Sequence, residues 1–160
     1  MTSIPSSDPA GVVVTTALPS ETVAVGRRLA GLLRPGDVVL LVGPLGAGKT
    51  QVAAGVADGL GIDDPVSSPS FVIVRSYVGF LPLHHADVYR LGSTAEWDDL
   101  DLLTMAADGV LLVEWGNAVA GAVPDDHLVV EIAMVDDQKR SIAFIPHGGW
   151  SSRPLWELSV

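Results

Sequence analysis

The apolar run Asp37-Val38-Val39-Leu40-Leu41-Val42 passes without a break into Gly43-Pro44-Leu45-Gly46-Ala47-Gly48-Lys49-Thr50. Few features constrain a fold so tightly. A continuous apolar run of this length reads as a central strand covered on both faces. The eight residues after it match G-x-x-x-x-G-K-[ST] at every fixed position. Glycines let successive backbone N–H groups converge without Cβ clashes, and the helix that follows adds positive potential at its N-terminus. Such a loop binds the phosphates of a nucleotide. Lys49 is expected to reach the β- and γ-phosphates, and the Thr50 hydroxyl to ligate Mg²⁺. Gly46, Ala47, Gly48, Lys49, Thr50 and Gln51 form the expected nucleotide contacts, with ATP and Mg²⁺ as cofactors.

The rest of the chain is read around that unit. Gly11 to Leu18 is β-branched and predicts a strand. Ser20 is a candidate N-cap for a helix to about Leu33, with Val23, Leu29, Ala30 and Leu33 on one face. Gln51 to Leu60 continues as a helix stopped by Gly61, and Asp63 to Ser70 is a loop. Phe71 to Val78 and Leu83 to Tyr89 predict a hairpin through Gly79-Phe80-Leu81-Pro82. Ser93 to Ala107 is acidic and helical in pattern. Val110 to Val113 is a second buried strand, ending at Glu114. His127 to Met134 and Ser141 to Ile145 pair across Asp136-Asp137-Gln138. The expected organisation is a flexible tail over 1–10, one domain over 11–146, and a tail over 147–160 whose Trp150 and Trp156 fold back as a short helix. The fold class is α/β: a single P-loop NTPase-like domain with a mixed β-sheet flanked by helices.

Composition narrows the chemistry. The chain of 160 residues has no cysteine, which excludes disulfides, thiol catalysis and cysteine-based metal sites. Its net charge of −10, with no basic run, disfavours direct contact with nucleic acid phosphates. No apolar run approaches a membrane span, and Met1 to Pro9 lacks a basic-then-apolar leader pattern. A reducing, cytoplasmic setting is the expectation. Neither lysine, Lys49 nor Lys139, lies in the N-K-x-D pattern of guanine recognition. The scattered arginines do not form the lid of a small-molecule kinase.

Two carboxylates, Asp87 and Glu114, end apolar strands, where ligands bind in sheets of this kind. Leu111-Leu112-Val113-Glu114 has the form of a Walker B strand, with Glu114 holding Mg²⁺ directly or through water. Asp87 either orients the attacking water, supports the metal shell, or caps a neighbouring turn. His84 and His85 alternate on a strand and point to opposite faces, so hydrogen bonding by His85 is favoured over shared metal ligation. Trp97, Trp150 and Trp156 are read as packing residues.

Four motifs in order, Gly46-Ala47-Gly48-Lys49-Thr50, Ser68-Pro69-Ser70-Phe71, His85-Ala86-Asp87-Val88-Tyr89-Arg90-Leu91 and Val113-Glu114-Trp115, make the chain resemble the TsaE (YjeE) family over about Leu18 to Ile145. That family comprises small bacterial ATPases of tRNA threonylcarbamoyladenosine biosynthesis. The resemblance implies an ATP-hydrolysing subunit that works with two partner proteins and meets tRNA only indirectly. It implies Thr50 and Glu114 as Mg²⁺ ligands and Lys49, Asp87 and Glu114 as the catalytic set. Ser70 would belong to a switch near the γ-phosphate, Trp115 would lie close to the nucleotide, and Glu21 and Thr22 would lie by the adenine. Arg140 would approach the nucleotide from before the last strand. The chain departs from the family where Ser70 replaces Thr, where Gly116 follows Trp115, and in a looser Glu96-Trp97-Asp98-Asp99 segment. A non-hydrolysing, nucleotide-gated binding module and a small-molecule P-loop kinase are the alternatives.

Overall fold

The strand Asp37–Val42 (β2) sits at the centre of the molecule because both of its faces are apolar. Val39 and Leu41 point into one hydrophobic core, and Val38 and Leu40 into another on the opposite side of the sheet. The computed structural model describes residues 11–66, 74–89, 91 and 94–159. The expected N-terminal tail, the Ser68–Phe71 motif with Ser70, and Arg90 lie outside the described residues.

Strand β2 is joined in one seven-stranded mixed sheet by β1 (Val12–Thr16), β3 (Val74–Tyr77), β4 (Leu83–Asp87), β5 (Val110–Glu114), β6 (His127–Met134) and β7 (Arg140–His147), in the order β1-β7-β6-β2-β5-β4-β3. Strands β6, β2, β5 and β4 run parallel, and the outer pairs are antiparallel. Their C-terminal ends therefore share one edge, which holds Asp87, Glu114 and the loop after Val42. Helices α1 (Pro19–Ala30) and α2 (Lys49–Gly59) cover one face with Val25, Leu29, Val52 and Val56. Helices α3 (Thr94–Leu100) and α4 (Leu102–Met105) cover the other with Trp97 and Leu102. Among the described residues no helix is long and apolar enough to cross a membrane.

Several boundaries differ from the sequence expectation, each for a local reason. Helix α1 starts at Pro19, so Ser20 is inside the helix rather than its cap. Glu21 closes the helix entrance instead: its Oε1 accepts the backbone N–H groups of Ala17 (2.6 Å) and Leu18 (3.2 Å). The buried face of α1 holds Thr22, Val25, Gly26, Leu29 and Ala30, and Val23 is only half-buried. The expected helix to Ala107 is broken at Asp101, whose left-handed backbone (φ 52°) separates α3 from α4. Strand β4 stops at Asp87 because the next residues turn, with the Tyr89 N–H donating to Asp87 Oδ1.

The C-terminal segment forms two 3-10 turns, Gly148–Ser152 and Leu155–Ser159, in place of one short helix. Trp150, Leu155 and Leu158 are buried in the same core as α1 and α2. Trp156 is 65% exposed, contrary to its reading as a packing residue. Arg153 ties the segment down by a two-pronged ion pair with Asp37 (2.5 and 2.8 Å) and stacks 3.9 Å over the Trp150 ring.

The tight crossing of α1 and α2 rests on glycine, because small residues let two helix backbones touch. A Cβ on Gly55 would strike the Val23 carbonyl oxygen and lie 2.9 Å from both Arg27 N and Gly26 Cα. Only backbone surrounds it there, so no side chain can give way. Gly55→Ala gains helix propensity of about 1 kcal/mol but forces the helices apart, at about 2–3 kcal/mol. The expected net result is a melting temperature lower by roughly 2–8 °C, read by calorimetry. An unchanged or raised value would mean that the crossing relaxes freely.

Candidate functional site

The loop from Gly43 to Gly48 leaves β2 at the shared strand edge and turns directly into α2, whose first residue is Lys49. Gly46 (φ 81°) and Gly48 (φ 113°) hold left-handed conformations, of the kind that lets successive backbone amides converge on an anion. The Ala47 N–H donates to Pro44 O (3.1 Å), closing the turn inside the loop.

Lys49 lies across the mouth of this loop and is 5% exposed. Its ammonium donates to the carbonyls of Gly43 (2.5 Å) and Pro44 (3.1 Å) and sits 3.9 Å from the centroid of the Trp115 ring. Burial lowers its pKa from the ordinary value, against the opposing pull of the carboxylates of Glu114 and Asp87. Its two direct acceptors are neutral carbonyls, and the nearby carboxylates act on it electrostatically.

Register explains how the carboxylates meet it. Leu41 on β2 is opposite Glu114 on β5, and Glu114 is opposite Asp87 on β4. His85, two residues before Asp87, shares its face of the sheet, and His85 Nε2 lies 2.6 Å from Glu114 Oε2. Both residues are buried, at 0% and 3% exposure. His84 points the other way and meets the Ser76 hydroxyl at 2.8 Å. Trp115, immediately after Glu114, adopts a left-handed backbone (φ 62°, ψ 33°). A non-glycine residue pays roughly 1–2 kcal/mol for that conformation. The turn brings the indole under the Lys49 ammonium and within 4.8 Å of the Tyr89 ring.

Other residues singled out in the sequence take varied places. Thr50 is half-buried and Gln51 exposed in the first turn of α2. Thr22 is buried with its hydroxyl 2.7 Å from that of Thr16, and a Cβ added to Gly48 would meet its methyl at 3.7 Å. The Glu21 carboxylate is engaged at the entrance of its own helix. Arg140 reaches the phosphate loop itself: Nε donates to Ala47 O (3.0 Å) and Nη2 lies 3.4 Å from Gly46 O. Ser70 lies outside the described residues. The contact of Lys49 with Trp115, the Glu114 partner of His85 and the Arg140 contacts were not foreseen. The register of β4 on β5, had it been set from the matching ends of the two apolar strands, would have placed His85 beside Glu114.

The arrangement is that of a P-loop NTPase. A conserved-domain profile described as "Threonylcarbamoyl adenosine biosynthesis protein TsaE" matches residues 16–142. A Bacillus subtilis tRNA threonylcarbamoyladenosine biosynthesis protein TsaE is 42% identical over 145 residues, covering 90% of this chain and 91% of the relative. The protein of the same name from Streptomyces coelicolor is 46% identical over 112 residues, covering 68% and 76%. Among solved structures, the crystal structure of Bacillus subtilis YdiB superposes with a TM-score of 0.73 at 37% identity, over 88% of each chain.

Proposed function

The chain belongs to the TsaE family, and from that premise we propose that it binds and hydrolyses Mg-ATP as a subunit of the machinery of tRNA threonylcarbamoyladenosine biosynthesis. The observation that carries the nucleotide reading is the Lys49 ammonium, buried at the mouth of the glycine loop with Glu114 and Asp87 as its charged neighbours. A desolvated cation beside converging amides favours a triphosphate far more than water does.

The donors suit magnesium. The Thr50 hydroxyl and the Glu114 carboxylate are hard oxygen ligands, and Mg²⁺ is commonly held by one or two such groups together with the phosphates it accompanies. The rigid pairing of Glu114 with His85 fixes one carboxylate oxygen and so orients the other. When bound, the ion would neutralise charge on the phosphate oxygens. Lys49 leaves the Gly43 and Pro44 carbonyls to engage phosphate, and Trp115 keeps its ammonium from drifting outward. Asp87 stands at the same strand edge as Glu114 and orients the attacking water. Gly46, Ala47, Gly48 and Gln51 complete the phosphate contacts. Thr22 supports the cradle from behind, while Glu21 shapes the adenine side by fixing the start of α1. Ser70 is assigned to sensing the γ-phosphate on the strength of the motif alone.

Hydrolysis by the chain alone is expected to be slow. Arg27 pairs with Asp58, Arg28 reaches Leu158 O, Arg153 pairs with Asp37, and Arg140 holds loop carbonyls. None of these four is poised as an arginine finger, a device worth roughly 10³–10⁵ in rate. Partner proteins of the same pathway then supply or order the missing charge. Phosphate release from Mg-ATP, measured with and without those partners, tests the reading. Slow release that rises on adding them is the expected outcome. Equal rates would remove the partner dependence, and binding without release under both conditions would leave a nucleotide-gated module instead.

A further inference from the structure

We propose that Arg140 is a positioning residue that presets the phosphate loop by holding its carbonyls outward, without itself being a ligand of the nucleotide. This rests on the nucleotide-binding reading of the Gly43–Thr50 loop. Arg140 Nε donates to Ala47 O at 3.0 Å, and Nη2 approaches Gly46 O at 3.4 Å. In a planar trans peptide, the carbonyl of one residue and the N–H of the next point in opposite directions. Drawing the Ala47 carbonyl toward the guanidinium therefore turns the Gly48 N–H the other way, into the cradle. At Gly48, with φ 113°, the backbone has unusual freedom. An external tether there removes conformers in which the amide faces away.

The guanidinium is itself anchored from behind. The two N–H groups of its Nη1 are shared among the carbonyls of Asp136 (3.0 Å), Asp137 (3.3 Å) and Lys139 (3.1 Å) in the β6–β7 turn. That turn is closed by Asp136 Oδ1, which accepts the N–H groups of Gln138 (2.8 Å) and Lys139 (2.7 Å). The same backbone bonds, Lys139 first and then Gln138, hold the Asp136 carboxyl below the usual carboxylate range. Arg140 thus bridges a hydrogen-bonded turn and the glycine-rich loop. A forked, planar guanidinium spreads five N–H groups over a wider, fixed plane than the compact ammonium of lysine, and so spans carbonyls on both sides more rigidly.

The two roles open to Arg140 separate by nucleotide. The loop amides cradle the α- and β-phosphates, so loss of the tether weakens ADP and ATP alike. Loss of a γ-phosphate ligand weakens ATP alone. Mg-ADP and a non-hydrolysable Mg-ATP analogue are titrated calorimetrically into the wild-type, Arg140→Ala and Arg140→Lys proteins, with thermal melts of each in the absence of nucleotide. Expected is a loss of roughly ten- to a hundredfold in affinity for both nucleotides in the alanine variant, by the same factor, with partial recovery in the lysine variant. A loss confined to the ATP analogue would overturn the proposal in favour of a direct ligand. Unchanged affinities, or a lowered melting temperature with unchanged affinities, would overturn it as well. If the alanine variant fails to fold, the lysine variant carries the same comparison. Absence of binding by the wild-type protein would instead remove the nucleotide reading on which the proposal rests.

Discussion

Lys49→Met should lose nucleotide binding while melting at the same temperature as the wild-type protein or higher. The two effects have one cause. The ammonium is nearly buried, and burial lowers its pKa while Glu114 and Asp87 only partly restore it. The sign follows directly. In the unfolded chain the amine titrates near its ordinary 10.5, whereas in the fold it gives up its proton earlier. At neutral pH the charge therefore costs folding free energy, and that cost fades only as pH rises through the window between the lowered value and 10.5. Methionine is one atom shorter and gives up the ammonium contact with Trp115, but it keeps an unbranched apolar stem and carries no charge to desolvate. Against phosphate the balance reverses. Losing charge-assisted hydrogen bonds of roughly 1.5–3 kcal/mol each, two of them lowers affinity by about 10²–10⁴. Calorimetric titration with Mg-ATP and a thermal melt of the same sample check both halves. Retained affinity would sink the assignment of the loop; a sharply lowered melting temperature would mean that Lys49 is structural.

How far the sequence reveals such a site depends on whether the information is local. The β2–loop–α2 unit was legible because strand, loop and helix are consecutive and each has its own signal: the apolar run, the glycines, the Lys-Thr pair. The same holds for β5 ending at Glu114 and for the β6–β7 hairpin closed around Asp136. What stayed hidden depends on contacts between distant segments. Thr22 and Gly26 carry no hydrophobic signal, yet they lie on the buried face of α1 because α2 approaches through Gly55 and Gly59. Of the expected face, Leu29, Ala30 and Leu33 lie in the core and only Val23 falls at its edge. The pairing of Asp37 with Arg153 spans 116 residues and has no pattern at either end. Arg140 was expected to approach the nucleotide. In the structure its hydrogen bonds go to loop carbonyls, which only the antiparallel pairing of β7 with β6 and β1 could reveal. Asp101 and Trp115, the two non-glycine residues with left-handed backbone among those described, were invisible in the same way. Neither residue type announces that conformation, and at Trp115 the strain is offset by the Lys49 contact it creates.

Glu114→Gln should bind Mg-ATP and turn it over at least about 10²-fold more slowly, the size of effect seen when a preorganised electrostatic group is lost from an active site. The substitution preserves shape. Its amide remains able to meet His85, whose ring can present either a donor or an acceptor at Nε2, so the buried contact survives by a change of tautomer. What disappears is the negative charge that faces Lys49 and the proposed metal position. Ground-state binding draws mainly on the loop amides and Lys49, which the variant leaves in place, and one less carboxylate near the triphosphate even reduces repulsion. If Glu114 is a Mg²⁺ ligand as proposed, the loss would fall on the chemical step, where the ion would supply charge stabilisation at the leaving oxygen. Affinity for Mg-ATP by titration and phosphate release under single-turnover conditions separate the two. The magnesium dependence of that release supplies a third reading: half-saturation at higher Mg²⁺ is expected if Glu114 is a ligand. Wild-type turnover in the variant would move the chemistry to Asp87, which occupies the neighbouring strand end at the same level of the sheet. Loss of binding together with turnover would instead make Glu114 a structural partner of His85.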